Sequence, residues 1–170
     1  MMRTALLCVA AAILAACGPA QAPRADAPAP HKVAPLVAGP LPTPPAWAQP
    51  FMGKIVTQAL PQKETCLGNA DHRLGRYAGP PAGSAVGGWG WDKQAKQPLA
   101  RILLTDETLR VWGAGEAVGG ARPDVPKYAP EVQSQRTGWR GAARATSGLV
   151  VAWGLVEDGK AICPMGEMEL

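Results

Sequence analysis

Gly87-Gly88-Trp89-Gly90-Trp91-Asp92 is the stretch that most limits what this chain can fold into. It alternates with a period of two, so an extended backbone puts Trp89 and Trp91 on one face and Gly88 and Gly90 on the other. Further strand signals follow it. Ile102-Leu103-Leu104 is a short apolar run, Asp106-Glu107-Thr108 reads as a turn, and Leu109 to Ala114 resumes an extended pattern, which makes a hairpin. Leu149 to Val156 is apolar on both faces, as a central strand would be. Glu157-Asp158-Gly159-Lys160 contains the Asp-Gly pair favoured in hairpin turns, and Ala161-Ile162-Cys163 is the returning strand. Trp139 to Ala145 offers one more short strand.

Helix signals are thin. Asp124 is placed to cap a short turn running through Pro126 toward Val132, because a carboxylate accepts from the free amides of a first turn. Pro126 and Pro130 keep that element short, and Pro61 interrupts a helix or loop over residues 57–64. The fold expected is mainly β: a small antiparallel β-sandwich or open barrel with one or two short helical turns. Trp91-Asp92 occurs once, and no fixed-period repeat supports a propeller.

The N-terminus has a different character. Met1-Met2-Arg3 is a small positive region, and Ala5 to Leu14 is an uncharged apolar run. This is the layout of a secretory signal, and the run falls short of the roughly 20 apolar residues that span a bilayer. Leu14-Ala15-Ala16-Cys17 then resembles the lipobox of bacterial lipoproteins. In that family the cysteine thiol receives a diacylglycerol, the peptide is cut before the cysteine, and the new amino end is acylated. The resemblance implies residues 1–16 as a lipoprotein signal peptide and Cys17 as the lipid attachment site. Two or three acyl chains on one residue satisfy the two-signal condition for stable anchoring. The competing reading is an ordinary signal cut at Ala-x-Ala, with Cys17 left free. Gly18 is not the aspartate that this family associates with inner-membrane retention, which favours the periplasmic face of the outer membrane as the address.

Gly18 to Pro50 holds ten of the 18 prolines, together with nine alanines, so it has few side chains to bury. Residues 17–50 therefore read as a lipidated cysteine followed by an extended tether, able to reach roughly 100 Å at about 3.1 Å per residue. Residues 51–170 suit one small β-rich domain. That region has fourteen Lys and Arg against twelve Asp and Glu, a net charge of +2, and the charges are scattered. No basic stripe is present, which excludes a nucleic-acid reading.

The cysteines sort by position. Cys8 leaves with the signal and Cys17 carries lipid, so Cys66 and Cys163 remain, one near each end of the domain. In an exported chain their pairing as a disulfide is favoured over two free thiols or half of a metal site. His72 is the only histidine of the domain and no C-x-x-C occurs, so no metal is expected.

Four segments in order, Cys66-Leu67-Gly68-Asn69, Gly88-Trp89-Gly90-Trp91-Asp92, Arg122-Pro123-Asp124-Val125 and Gly138-Trp139-Arg140-Gly141, are similar to a small extracytoplasmic β-domain of bacterial membrane-associated proteins. Some of those proteins are connected with cell-surface polysaccharides. The resemblance implies a fold and an address; it carries no reaction.

No catalytic constellation is legible. Ser84 lacks the glycine spacing of a nucleophile elbow. His72 beside Asp71 reads as a loop pair rather than as a general base. Gly113 to Gly119 resembles a dinucleotide fingerprint but has its third glycine one residue late and no following helix. Asp92, Asp106, Glu107, Glu116 and Asp124 are carboxylates without a pairing motif, and Arg122 with Asp124 reads as an ion pair across the rigid Pro123 turn. No catalytic residue and no cofactor are therefore expected.

Tryptophan is the remaining signal. Trp89, Trp91 and Trp153 read as core fillers in a domain poor in Phe and Tyr. Trp112 and Trp139 stand beside Arg110 and Arg140, which suggests half-exposed positions. Trp112, Trp139 and Arg140 are accordingly the candidate ligand-binding residues. The expected function is a non-catalytic interaction or structural domain on a membrane-anchored envelope lipoprotein. The alternatives are a carbohydrate-binding module using exposed Trp and, less favoured, an envelope glycan hydrolase. The expected partners are the lipid bilayer, through acylated Cys17, and an envelope glycan or protein.

Overall fold

The computed structural model describes residues 35–37 and 39–170. Cys17, the signal segment 1–16 and the first half of the tether lie outside the described residues. The fold is mainly β. In chain order the strands are β1 (Leu36–Val37), β2 (Cys66–Tyr77), β3 (Gly83–Asp92), β4 (Gln97–Pro98), β5 (Arg101–Thr105), β6 (Val111–Gly120), β7 (Gly138–Ala143), β8 (Leu149–Val156) and β9 (Ala161–Glu169). Two single-turn helices, α1 (Val56–Ala59) and α2 (Val125–Tyr128), complete the fold.

All nine strands belong to one sheet, ordered β1-β2-β3-β7-β6-β5-β8-β9, with β4 added to β3. Among the described strands only β1 on β2 is a parallel pair. The sheet curls without closing into a barrel. Its ends approach where Lys63, just ahead of β2, makes an isolated parallel bridge to Ile162. Cys66 on β2 and Cys163 on β9 form a disulfide across the same opening, with Cα atoms 5.7 Å apart. Gly68 lets β2 lie close to β9 there, since a Cβ on it would stand 2.6 Å from the Met165 sulfur.

Period-two alternation builds two apolar layers. The inner face gathers Ala70, Val86, Ile102, Leu104, Trp139 and Val150. The outer face of β5, β6 and β8 presents Leu103, Val111, Ala114 and Trp153, and the chain from Ala48 to Leu60 covers them. Trp89 and Trp91 form a third cluster with Val125 and Val132, so the loop around α2 covers the outer face of β3. Trp89, Trp91 and Trp153 are all under a tenth exposed, as core fillers should be.

The tether expected over residues 17–50 ends sooner than its composition implies. Leu36–Val37 pairs with Arg76–Tyr77, the Leu41 amide donates to the Pro81 carbonyl at 3.1 Å, and Ala48 is fully buried. An extended Pro-rich chain has few amides to satisfy, so three anchoring side chains suffice to lay it across a sheet face. The expected pair of Asp71 and His72 is likewise not in a loop, since both lie within β2. Asp124 precedes α2 but makes no side-chain capping hydrogen bond; its carboxylate is taken by Arg122.

Candidate functional site

The outer face of β3, β7, β6 and β5 carries the site. Register aligns Gly87, Arg140, Glu116 and Arg101 in one row across these strands. The row alternates in sign, which is the favourable cross-strand order. Above it runs the Pro-rich segment of residues 41–47, pinned at both ends. At one end the Leu41 side chain lies over Gly83, where no Cβ intervenes. At the other, Trp47 Nε1 donates to Glu116 Oε1 at 2.6 Å, and the Arg101 guanidinium sits 5.6 Å from the Trp47 ring centre. The latter is a cation–π distance.

Between this strap and the sheet lies a groove of about 280 Å³ whose walls include Pro44, Tyr77, Trp112, Glu116, Val118 and Arg140. Trp112 is half-buried, and its ring is held in place by a hydrogen bond from Nε1 to Asp106 Oδ2 at 2.6 Å. The other oxygen of Asp106 accepts from the Thr108 amide, the Thr108 hydroxyl and the Arg110 amide at 2.8, 2.6 and 3.0 Å. Burial alone would raise the Asp106 pKa, but these donors outweigh it and hold the carboxyl below its ordinary value. The turn that organises the β5–β6 hairpin thus also fixes the tryptophan. On its other side Trp112 borders a recess of about 470 Å³ with Met52, Gly53 and Arg144. Arg140 is exposed and has no salt bridge among the described residues.

Beyond Val118 and Arg140 the surface continues into a second cleft of about 200 Å³ that reaches Asp71, His72 and Arg122. A β-bulge at Asp71 interrupts the β2–β3 ladder: Ala70 faces Gly88 and His72 faces Gly87, with Asp71 unpaired between them. The bulge turns its carboxylate toward Arg122, whose Nη2 lies 2.9 Å from Asp71 Oδ2 and 2.8 Å from Asp124 Oδ2. Arg122 Nε also donates to both Asp124 oxygens. The hydrogen bond donated to Asp124 first, and Asp71 with it, raises the Arg122 pKa against the effect of burial. The same bond from Arg122 lowers the Asp124 pKa. Asp71 Oδ1 touches His72 Nδ1 without hydrogen-bond geometry. Arg122 therefore ties the α2 loop to β2, joining the expected turn pair to a third residue that sequence spacing does not reveal.

Of the three candidate ligand residues, the fold brings Trp112 and Arg140 into one groove and leaves Trp139 out. Trp139 precedes Arg140 on β7, so its side chain takes the opposite, inner face, and it is 2 % exposed rather than half-exposed. Its indole N–H is buried without a partner. Tyr77 and Trp47 were not legible as site residues. Tyr77 ends a strand that carries no apolar alternation, and Trp47 is embedded in proline and alanine. A lone bulky aromatic in such a tract is the one signal that could have marked an anchor.

A fixed aromatic ring beside a free guanidinium and a carboxylate can stack on the apolar face of a sugar and hydrogen-bond its hydroxyls. Among the described residues no group of three or more His, Cys, Asp or Glu side chains is placed to hold a metal ion. No family model matches the chain, and neither a curated protein nor a solved structure matches it.

Proposed function

We propose that this chain is an exported lipoprotein whose β-domain is a non-catalytic binding module, with an envelope glycan as the ligand of the Trp112–Arg140 groove. The observation that carries the reading is the convergence of Trp112, Tyr77, Arg140 and Glu116 under one strap, with the Trp112 ring oriented by Asp106. The non-catalytic part is supported by what the carboxylates already do. Asp92 accepts from the amides of Gln94 and Ala95, Glu116 from Trp47, and Asp124 from Arg122. The anchor part rests on Leu14 to Cys17, and the proposed address is the periplasmic face of the outer membrane.

Two measurements test it. Titration of the chain with envelope glycans should quench or shift tryptophan fluorescence, and Trp112→Ala should remove the response while leaving the melting temperature within a few degrees. A broad glycan panel without any response sinks the ligand. Mass spectrometry of the native protein should find diacylglycerol on an N-terminal Cys17; an unmodified thiol sinks the anchor.

A further inference from the structure

The inner face of the sheet ends in a pair of arginines. Arg73 and Arg76 are three residues apart on β2, a spacing that puts side chains on opposite faces of a regular strand. A second bulge, at Leu74, removes that separation. Arg73 pairs with Val86, Gly75 with Ala85 and Arg76 with Ser84. Val86 and Ser84 are two apart on β3, so both arginines now share one face. It is the inner face, because Val86 belongs to the inner core and Ser84 is fully buried.

The two guanidinium groups converge. Nη2 of Arg73 and Nη2 of Arg76 each donate to the Thr146 carbonyl at 3.0 Å, and Arg73 Nη2 also reaches the Ser84 hydroxyl at 3.4 Å. Nε of Arg73 is buried and donates to nothing. Neither arginine has a carboxylate partner among the described residues. Burial first, and Arg76 second, lowers the Arg73 pKa. Two positive charges therefore share a neutral carbonyl, and one of them keeps an unmet donor. A buried donor without an acceptor is costly, and like charges this close lack the compensation that an anion supplies.

We propose that Arg73 and Arg76, whose guanidinium groups converge on the Thr146 carbonyl, form a binding site for a phosphate group, carried either by free phosphate or by a phospholipid headgroup. Guanidinium forks suit a tetrahedral oxyanion because each offers parallel N–H donors and stays charged at all relevant pH. The bulge at Leu74 is the device that builds the site, since a regular strand separates its two cations. The site lies on the face of the sheet opposite the Trp112 groove and stands or falls independently of the glycan reading.

The test uses the full chain carrying Cys17→Ser, which cannot be acylated. Inorganic phosphate is titrated at constant ionic strength while the arginine Nε–H resonances are followed, with chloride as the control anion. Saturable shifts are expected, weakened about tenfold or more in Arg76→Gln, as fits the loss of a charge-assisted contact. Arg76 is exposed, so this variant keeps the fold even if Arg73→Gln does not. A parallel arm compares co-sedimentation with phosphatidylglycerol and phosphatidylcholine vesicles. A preference for the anionic vesicles that Arg76→Gln removes assigns the phosphate to a headgroup; phosphate binding without that preference assigns it to the free ion. The proposal is overturned if neither probe responds, or if the responses are unchanged in both Arg76→Gln and Arg73→Lys.

Discussion

Cys66 on β2 and Cys163 on β9 join two strands that the ladder of the curled sheet does not pair with each other. Among the described residues the backbone is bonded to β9 just ahead of β2, where the Ile162 carbonyl accepts from the Glu64 amide and the Ile162 amide donates to the Gln62 carbonyl. The disulfide sits one residue beyond that point on β9 and closes a chain segment with a sequence separation of 97. It thus fastens the first long strand of the sheet to the last. A loop of that length constrains the unfolded chain by about 4–5 kcal/mol in the chain-entropy account. Reduction is expected to lower the melting temperature by roughly 10–20 °C for a domain of this size, read by circular dichroism with and without reductant. Both sulfurs are held in the disulfide, so these positions should take up no alkylating reagent, in native or unfolded protein, until the bond is reduced. Two readily alkylated thiols in the native sample would contradict this pairing.

Asp106 and Trp112 give the groove a pH dependence of known sign. The Asp106 pKa lies below its ordinary value, so the stability it contributes is complete above the unfolded value of about 3.9 and is lost as pH falls through the folded value. The Trp112 ring should therefore stay fixed at neutral pH and loosen only in acid below about pH 4. The indole N–H resonance of Trp112 reports this directly. Asp106→Asn should show the loosened signal at neutral pH and no acid transition at that resonance.

The strands that were legible in the sequence are those whose side chains either differ between faces or are apolar on both. Trp89 and Trp91 against Gly88 and Gly90, or the run from Leu149 to Val156, declare a buried face by composition. β2 does not: Asp71, His72, Arg73 and Arg76 interrupt it, and two bulges shift its alternation twice, so no period of two survives. The same bulges place the Asp71 and Arg73–Arg76 clusters, which is why these clusters were hidden while Trp112 and Arg140 were not. The strap was hidden for a different reason. Proline composition reports a lack of backbone donors, not a lack of contacts, and Leu41, Trp47 and Ala48 carry the contacts here.

Trp139 combines full burial with an unpartnered indole N–H. Truncation and donor removal should therefore separate. Trp139→Ala leaves a large void in the inner layer and is expected to destabilise by about 3–5 kcal/mol. Trp139→Phe keeps most of the apolar volume and deletes the unsatisfied donor, so its cost should stay below about 2 kcal/mol. Denaturant unfolding of the two variants checks the gap, and equal losses would show that the N–H has a partner in solution.

Gly88 stands opposite Trp139 on β3, and a Cβ there meets two obstacles. One is the Trp139 ring, 2.9 Å away, and the other is the still closer carbonyl of Asn69 on β2. Gly88→Ala should destabilise by about 2 kcal/mol or more, because a backbone carbonyl inside a ladder cannot step aside as a side-chain tip can. The double variant with Trp139→Phe distinguishes the two contacts. If the ring set the limit, the smaller side chain would recover most of the loss. Since the carbonyl is the nearer and stiffer neighbour, the double variant is expected to remain nearly as unstable as the sum of the single ones, with a coupling of less than about 0.5 kcal/mol in a thermodynamic cycle. Substantial recovery would mean that β2 and β3 separate at this point more easily than their register implies.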